Sequence, residues 1–309
     1  MNKYDLVVIV PVYNVEKYLS RCLDSLFMQK NVNFYVVCVD DCSTDDSVLV
    51  LEQYKKTHSN FLFLKNDKNM GPSYSRNRGL EFLSSLKCDY FMFVDSDDYI
   101  INEYYFSSFI KKASLYNCSM VCSNFRNLTI RDKLLDEKGM VDAFCEREIL
   151  ASPCDKLFSN KSHHNILFNE KIKCGEDKEF VVDCLGKSDS VLLTSIPGYF
   201  YYNNCDSIMH SHNCSSSELY YKQLSTLKIF EVLARKQYDQ VLIDSFCNYF
   251  FETFREIKKI DKKTKRFLKN NADKLFKKYE LNKRYKPKNK HYWILKFLYN
   301  YCTPLYYLI

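Results

Sequence analysis

Apolar residues along the first hundred positions fall in short unbroken runs rather than in alternation. Four of these, LVVIV at 6–10, FYVVCV at 34–39, FLFL at 61–64 and YFMFV at 90–94, are rich in β-branched and aromatic side chains. Such runs predict strands buried on both faces. Between them the period changes to that of a helix. Leu19, Cys22, Leu23, Leu26 and Phe27 share one helical face, with Asn14 available as N-cap. Val48, Leu49, Leu51 and Tyr54 form a second stripe after Ser43, Thr44 and Asp45, and a third helix is predicted from Pro72 to about Leu86. Strand and helix in alternation argue for a parallel α/β sheet joined by right-handed crossovers. Residues 100–215 mix helical and strand-like segments, and beyond about 218 the pattern turns helical.

In open parallel sheets, ligands bind beyond the carboxyl ends of the strands. Those positions here read Pro11-Val12-Tyr13-Asn14, Asp40-Asp41-Cys42-Ser43 and Asp95-Ser96-Asp97-Asp98. Two of the three are acidic and none is glycine-rich. Neither GxGxxG nor GxxxxGK[ST] occurs, which excludes a dinucleotide turn and a phosphate loop. Carboxylates at the mouth of a nucleotide site need a cation to offset phosphate charge, so a divalent metal is expected. Alternate residues of an extended segment point the same way, so Asp95 and Asp97 can address one ligand. A surface turn or helix cap would also use such acids; the buried run before Asp95 favours the ligand reading.

Four segments agree in order and spacing with a known family: VIVPVYN at 8–14, VDDCSTDDS at 39–47, NMGPSYSRNRG at 69–79 and FVDSDD at 93–98. A weaker fifth, CGEDKEF, lies at 174–180. Over roughly its first two-thirds the chain resembles family 2 glycosyltransferases of the GT-A fold. The resemblance implies an α/β, Rossmann-like and mainly parallel donor half at 1–100 and a mixed α+β acceptor half at 101–215, to which the residue pattern adds a helical basic region at 216–309. It implies an inverting hexosyl- or N-acetylhexosaminyltransferase. The sugar would pass from a nucleotide-sugar, a UDP-sugar, to an acceptor hydroxyl on a lipid-linked or growing bacterial surface glycan.

On this resemblance Tyr13 stacks on the base and Asp41 accepts from the uracil N–H. Pro11, Arg76, Ser96 and Asp95, the last on the ribose side, complete the donor site. Asp97, with Asp98 supporting or sharing the contact, holds Mn2+ or Mg2+ as a Lewis acid for the departing diphosphate. Asp177 is the general base; the alternative is that Glu176 and Asp177 cap the following helix. Arg78 is read as a solvated helix residue, Lys156 as structural, and Asp45 and Asp46 as first-turn acids. His210 and His212 are candidates to reach the metal or diphosphate, though a surface loop is the simpler reading. Cys42 departs from the family's usual Gly, so the turn there is expected to form less easily. The rival of a different class is a nucleotide-sugar-binding scaffold or sensor without turnover.

The net charge of +7 is unevenly spread. Residues 255–290 hold sixteen Lys or Arg against four acids, interleaved with apolar residues that include Phe254, Phe267, Leu275 and Phe276. An aromatic segment at 292–299 follows. The combination suits the surface of an anionic membrane and equally a helical cap with a solvated basic face. Nucleic acid is not expected as a partner, because strand-end carboxylates would repel its backbone. No apolar run is long enough to span a bilayer and no signal-peptide pattern opens the chain, so the expected location is cytoplasmic, with peripheral attachment to the inner face of the membrane. The 14 cysteines lack a CxxC pair or regular spacing, which favours reduced thiols.

Overall fold

The computed structural model describes residues 3–124, 129–172, 175–202, 216–236, 238–254, 262–287 and 296. Strands are β1 (Lys3–Val12), β2 (Phe34–Asp40), β3 (Phe61–Lys65), β4 (Lys87–Phe93), β5 (Tyr99–Ile100), β6 (Met120–Ser123), β7 (Lys133–Leu135), β8 (Lys156–Ser159), β9 (Val191–Thr194) and β10 (Tyr199–Phe200). The first seven helices are α1 (Glu16–Phe27), α2 (Ser47–Thr57), α3 (Pro72–Leu83), α4 (Tyr105–Tyr116), α5 (Glu137–Cys145), α6 (Asn160–His163) and α7 (Glu176–Lys187). They are followed by α8 (Ser216–Lys236), α9 (Gln240–Phe254), α10 (Lys262–Lys278) and α11 (Leu281–Arg284). The chain divides into two compact units. The first comprises Met1–Asp136, Arg147–Glu170 and Glu176–His210; the second comprises Glu137–Glu146, Lys171–Gly175 and Ser211–Ile309.

The first unit is built on a sheet of order β3-β2-β1-β4-β8-β6-β9-β7. β1 is the third strand of this sheet, parallel to β2 on one side and β4 on the other. The four apolar runs became β1 to β4, and Leu6 to Val10 are wholly buried. β3 differs from expectation: it ends the sheet, and Leu62, Phe63 and Leu64 are only half-buried. An edge strand has a neighbour on one side only, and Lys55 of α2 covers the Phe63 ring at 5.3 Å. β8 and β7 run antiparallel to their neighbours, giving the mixed second half of the sheet.

α3 packs close because of Gly79, where an added Cβ would sit 2.4 Å from Ile9 Cγ2 of β1. Behind β4, rings from separate elements interlock: Phe93 meets Phe168 at 5.3 Å edge-on, and Phe168 stacks on Phe180 of α7 at 4.0 Å. Such pairs add orientation to the area they bury. α7 is thereby seated on the β4 side of the sheet.

The second unit is helical. Phe230, Phe246, Phe250 and Phe276 pack together, the first two rings 4.2 Å apart. On α10, Leu268, Ala272, Leu275 and Phe276 are buried, while Lys263, Arg266, Lys274 and Lys277 are exposed on the other side with Phe267. Among the described residues no helix is long and apolar enough to cross a membrane.

Candidate active site

The order β2-β1-β4 brings three carboxyl ends to one rim. Adjacent strands lie about 4.8 Å apart, so the ends of β2 and β4 are separated by about 10 Å. The register holds to the last residue: Val12 pairs with Asp40, and the Asp41 amide donates to Val12 O at 2.8 Å. Pro11 is half-buried on β1, and Tyr13, just past the strand, keeps 38% of its surface exposed.

The two loops beside β1 and β2 are stitched to each other. Asn14 does not cap α1. It adopts φ 51°, and its Oδ1 accepts from the Thr44 amide at 2.8 Å. Asp45 takes over the capping, accepting from the Glu16 amide at 2.9 Å and the Ser47 amide at 3.0 Å. Glu16 returns the contact by accepting from the Asp46 amide. Asp40 is fully buried and shapes this loop by accepting from the Ser43 amide. Cys42, between them, stands in the left-handed region at φ 64°, where a side chain costs about 1–2 kcal/mol relative to Gly.

Asp41 is almost fully buried and faces the 66–71 loop. Its Oδ1 accepts from Asn66 Nδ2 at 2.6 Å and from the Met70 amide at 2.9 Å, and its Oδ2 accepts from the Gly71 amide at 2.6 Å. A carboxylate offers about four acceptor positions, so Oδ2 retains one. Arg78, expected in solvent, is half-buried. It donates to Lys65 O at 2.9 Å and to Asn66 Oδ1, which turns the Asn66 amide nitrogen toward Asp41. The reason is the 66–71 loop folding back over α3, which sequence spacing does not reveal.

Past β4, Ser96 and Asp98 are buried, and Asp95 and Asp97 are half-buried. Both Asp98 oxygens are engaged within the fold: Oδ2 accepts from the Tyr199 hydroxyl and Oδ1 from the Tyr202 amide at 2.9 Å. Burial, with Asp95 and Asp97 beside it, pushes this carboxyl up to about 8 against the pull of those two donors. Arg21 holds the turn from outside. It donates to Asp97 O at 3.1 Å and lies over the rings of Tyr99 at 4.4 Å and Tyr202 at 4.5 Å.

Asp177 joins this rim through Arg76. The guanidinium is buried in α3 and donates from Nη2 to Asp95 Oδ1 at 2.8 Å and from Nη1 to Asp177 Oδ1 at 2.9 Å. Burial alone would weaken its charge, but Asp177 and then Asp95 hold it firmly protonated. Asp177 is the second residue of α7 and leaves a third of its side chain open. Burial pushes its carboxyl up to about 7, with Glu176 and Asp95 adding to the rise and Arg76 and Lys156 opposing it. Lys156 is fully buried and paired with Asp155. Cys174, His210 and His212 lie outside the described residues.

Among the described residues no group of three or more His, Cys, Asp or Glu side chains could enclose a cation. The donor set still fits Mg2+ or Mn2+, which take one or two carboxylates and leave the remaining positions to phosphate and water. Asp97 is the carboxylate of the turn that fits this part, since Asp98 is turned into the fold.

A mainly parallel sheet with an aromatic residue and carboxylates at its rim, in place of a glycine-rich turn, defines an α/β protein with an acidic strand-end site. The chain belongs to glycosyl transferase family 2, whose family model matches residues 7–169. It is 30% identical over 203 residues to a poly(ribitol-phosphate) beta-glucosyltransferase of Bacillus spizizenii, covering 63% of this chain and 31% of that protein. It is 26% identical over 263 residues to the poly(ribitol-phosphate) beta-N-acetylglucosaminyltransferase TarS of Staphylococcus aureus, covering 80% of this chain and 44% of TarS. The chain thus spans less than half the length of these curated relatives. Its fold matches S. aureus TarS 1–349 in complex with UDP-GlcNAc at a TM-score of 0.62 and 20% identity, covering 89% of each chain. It also matches the mannosyltransferase PcManGT of Pyrobaculum calidifontis in complex with GDP-Man and Mn2+, at 0.56 and 12%, covering 99% of this chain and 88% of that one. The expected GT-A architecture is the one observed.

Proposed function

We propose that the chain is an inverting transferase that moves a sugar from a UDP-sugar to a hydroxyl of a growing bacterial surface glycan. The observation that carries this reading is the single rim on which Asp41, Asp95 and Asp97 stand, with Asp177 tied to it through Arg76. Tyr13 offers its exposed ring to the base, Pro11 at the end of β1 serves the same donor side, and Asp41 Oδ2 has one acceptor position for the uracil N–H. Asp95 and Ser96 serve the ribose side. Asp177, raised to about 7, suits a base that takes the acceptor proton near neutral pH as the hydroxyl attacks. Mn2+ or Mg2+ at Asp97, with Asp98 buttressing the turn, would supply Lewis-acid stabilisation of the departing diphosphate. The relatives' names support a glucosyl or N-acetylglucosaminyl donor and a polyol-phosphate acceptor.

The test is a panel of UDP-, GDP- and dTDP-sugars incubated with and without Mn2+, following release of the nucleoside diphosphate. The expected outcome is metal-dependent release from one or more UDP-sugars. A chain that binds UDP-sugar and metal yet releases no UDP would be the scaffold or sensor instead.

The exposed cationic side of α10 supports a second part of this reading, attachment to the anionic inner face of the cell membrane. Lys263, Arg266, Lys274 and Lys277 share it with Phe267, which is 51% exposed. Cations near a lipid surface with an apolar residue among them are the pattern of an interfacial helix.

A further inference from the structure

We propose that Arg76 is a positioning residue: it ties Asp95 to Asp177 and thereby fixes which oxygen of each carboxylate faces the reaction. The inference rests on the transferase reading above and adds the device that sets its base. Arg76 reaches two carboxylates from different elements, one at the end of β4 and one at the start of α7, with a separate nitrogen for each. It takes Oδ1 in both cases. Among the described residues neither Oδ2 carries a hydrogen bond, so one oxygen of Asp95 stays available to a ribose hydroxyl and one of Asp177 to an acceptor proton.

The clamp is itself held. The guanidinium lies 5.2 Å from the centre of the Phe168 ring, and Phe168 is fixed by Asn77 through both backbone groups. Asn77 Oδ1 accepts from the Phe168 amide at 2.8 Å, and its Nδ2 donates to Phe168 O at 3.0 Å. Phe180, one turn beyond Asp177 on α7, stacks on that ring with an interplanar angle of 1°. The neighbours in α3 and α7 thus share one aromatic contact. A planar fork is the side chain that can serve two carboxylates at set angles, and a lysine ammonium is a point charge without that geometry.

Two carboxylates on one rim repel each other, and a third acid makes this worse. Asp177 is faced by Glu176 from its own helix, Asp95 from the β4 end, Cys154 and Lys156 from β8 and the residue two before it, and Arg76 from α3. Arg76 is the cation in direct contact. Its loss leaves Asp177 beside Glu176 and Asp95, with Lys156 still offsetting them.

The experiment compares wild type, Arg76→Met, Arg76→Lys, Asp177→Asn and the double variant Arg76→Met/Asp177→Asn in the full chain. The probe is UDP-GlcNAc, or whichever member of the panel above the wild type hydrolyses fastest. Readouts are kcat against pH and UDP affinity in Mn2+. Arg76→Met is expected to lower kcat about 10²-fold and to move the acid limb of the profile up by about one pH unit. Arg76→Lys should return the limb toward wild type without restoring the rate. In the double variant the loss should be close to that of Asp177→Asn alone, the signature of two groups acting as one. A full multiplication of the two losses, or an unmoved acid limb in Arg76→Met, would overturn the proposal. If Arg76→Met does not fold, Arg76→Lys decides alone: a wild-type rate refutes it, and a loss of tenfold or more with the limb unmoved upholds it. A wild type that hydrolyses no sugar nucleotide overturns the functional reading and is told apart from either result.

Discussion

Asp41 and Asp95 each follow a buried strand by one or two residues, yet their surroundings separate them. Asp41 is almost closed off by Asn66, Met70 and Gly71, whereas Asp95 leaves 30% of its side chain open beside Arg76. Asp177, 101 residues from Arg76, shares that partner. Replacing Asp177 by Asn keeps the shape and removes the basicity, so turnover should fall about 10²–10⁴-fold while UDP affinity, measured by calorimetry, stays near wild type. In the unmodified chain, a base raised to about 7 must lose its proton to work. The rate should therefore climb with pH through about 7, and a profile flat from pH 5.5 to 8 would count against the assignment.

At the scale of an element, α3 shows how one helix can serve four neighbours. Successive residues turn by about 100°, so Arg76, Asn77, Arg78 and Gly79 face four directions. Arg76 meets Asp95 and Asp177, Asn77 meets Phe168, Arg78 meets the 66–71 loop, and Gly79 lets the helix approach Ile9 of β1. The close approach at Gly79 sets the distance for the other three. Gly79→Ala gains up to about 1 kcal/mol of helix propensity but forces a Cβ to 2.4 Å from a branched, wholly buried side chain. Overpacking costs about 1–3 kcal/mol. The expected net result is a lower urea midpoint, with up to about 2 kcal/mol of stability lost after the helix gain is subtracted, and reduced turnover because Arg76 moves with its helix.

Over the whole chain, the acidic rim lies in the first unit and the exposed cations of α10 in the second. If α10 meets an anionic membrane, each cation contributes about 1 kcal/mol near the lipid. Changing Lys263, Arg266, Lys274 and Lys277 together to Gln should then sharply reduce sedimentation with phosphatidylserine vesicles and leave UDP binding unchanged. Equal pelleting of variant and parent would leave α10 as a solvated helical cap.

The sequence by itself determined β1 to β4, the crossover rhythm, the acidic rim and the family, because these are written in runs and spacings a few residues long. Periodicity reports which face of an element is apolar, and strand ends follow from it. Tertiary structure alone decided the partners. β3 proved to be an edge strand, Asn14 went to Thr44 rather than to α1, Arg78 was drawn from solvent to Asn66, and Asp98 was claimed by Tyr199 and Tyr202. Above all, Arg76 met Asp177 across 101 residues. Contacts at such separation depend on how crossovers and packed rings bring elements together, and no local pattern encodes that distance.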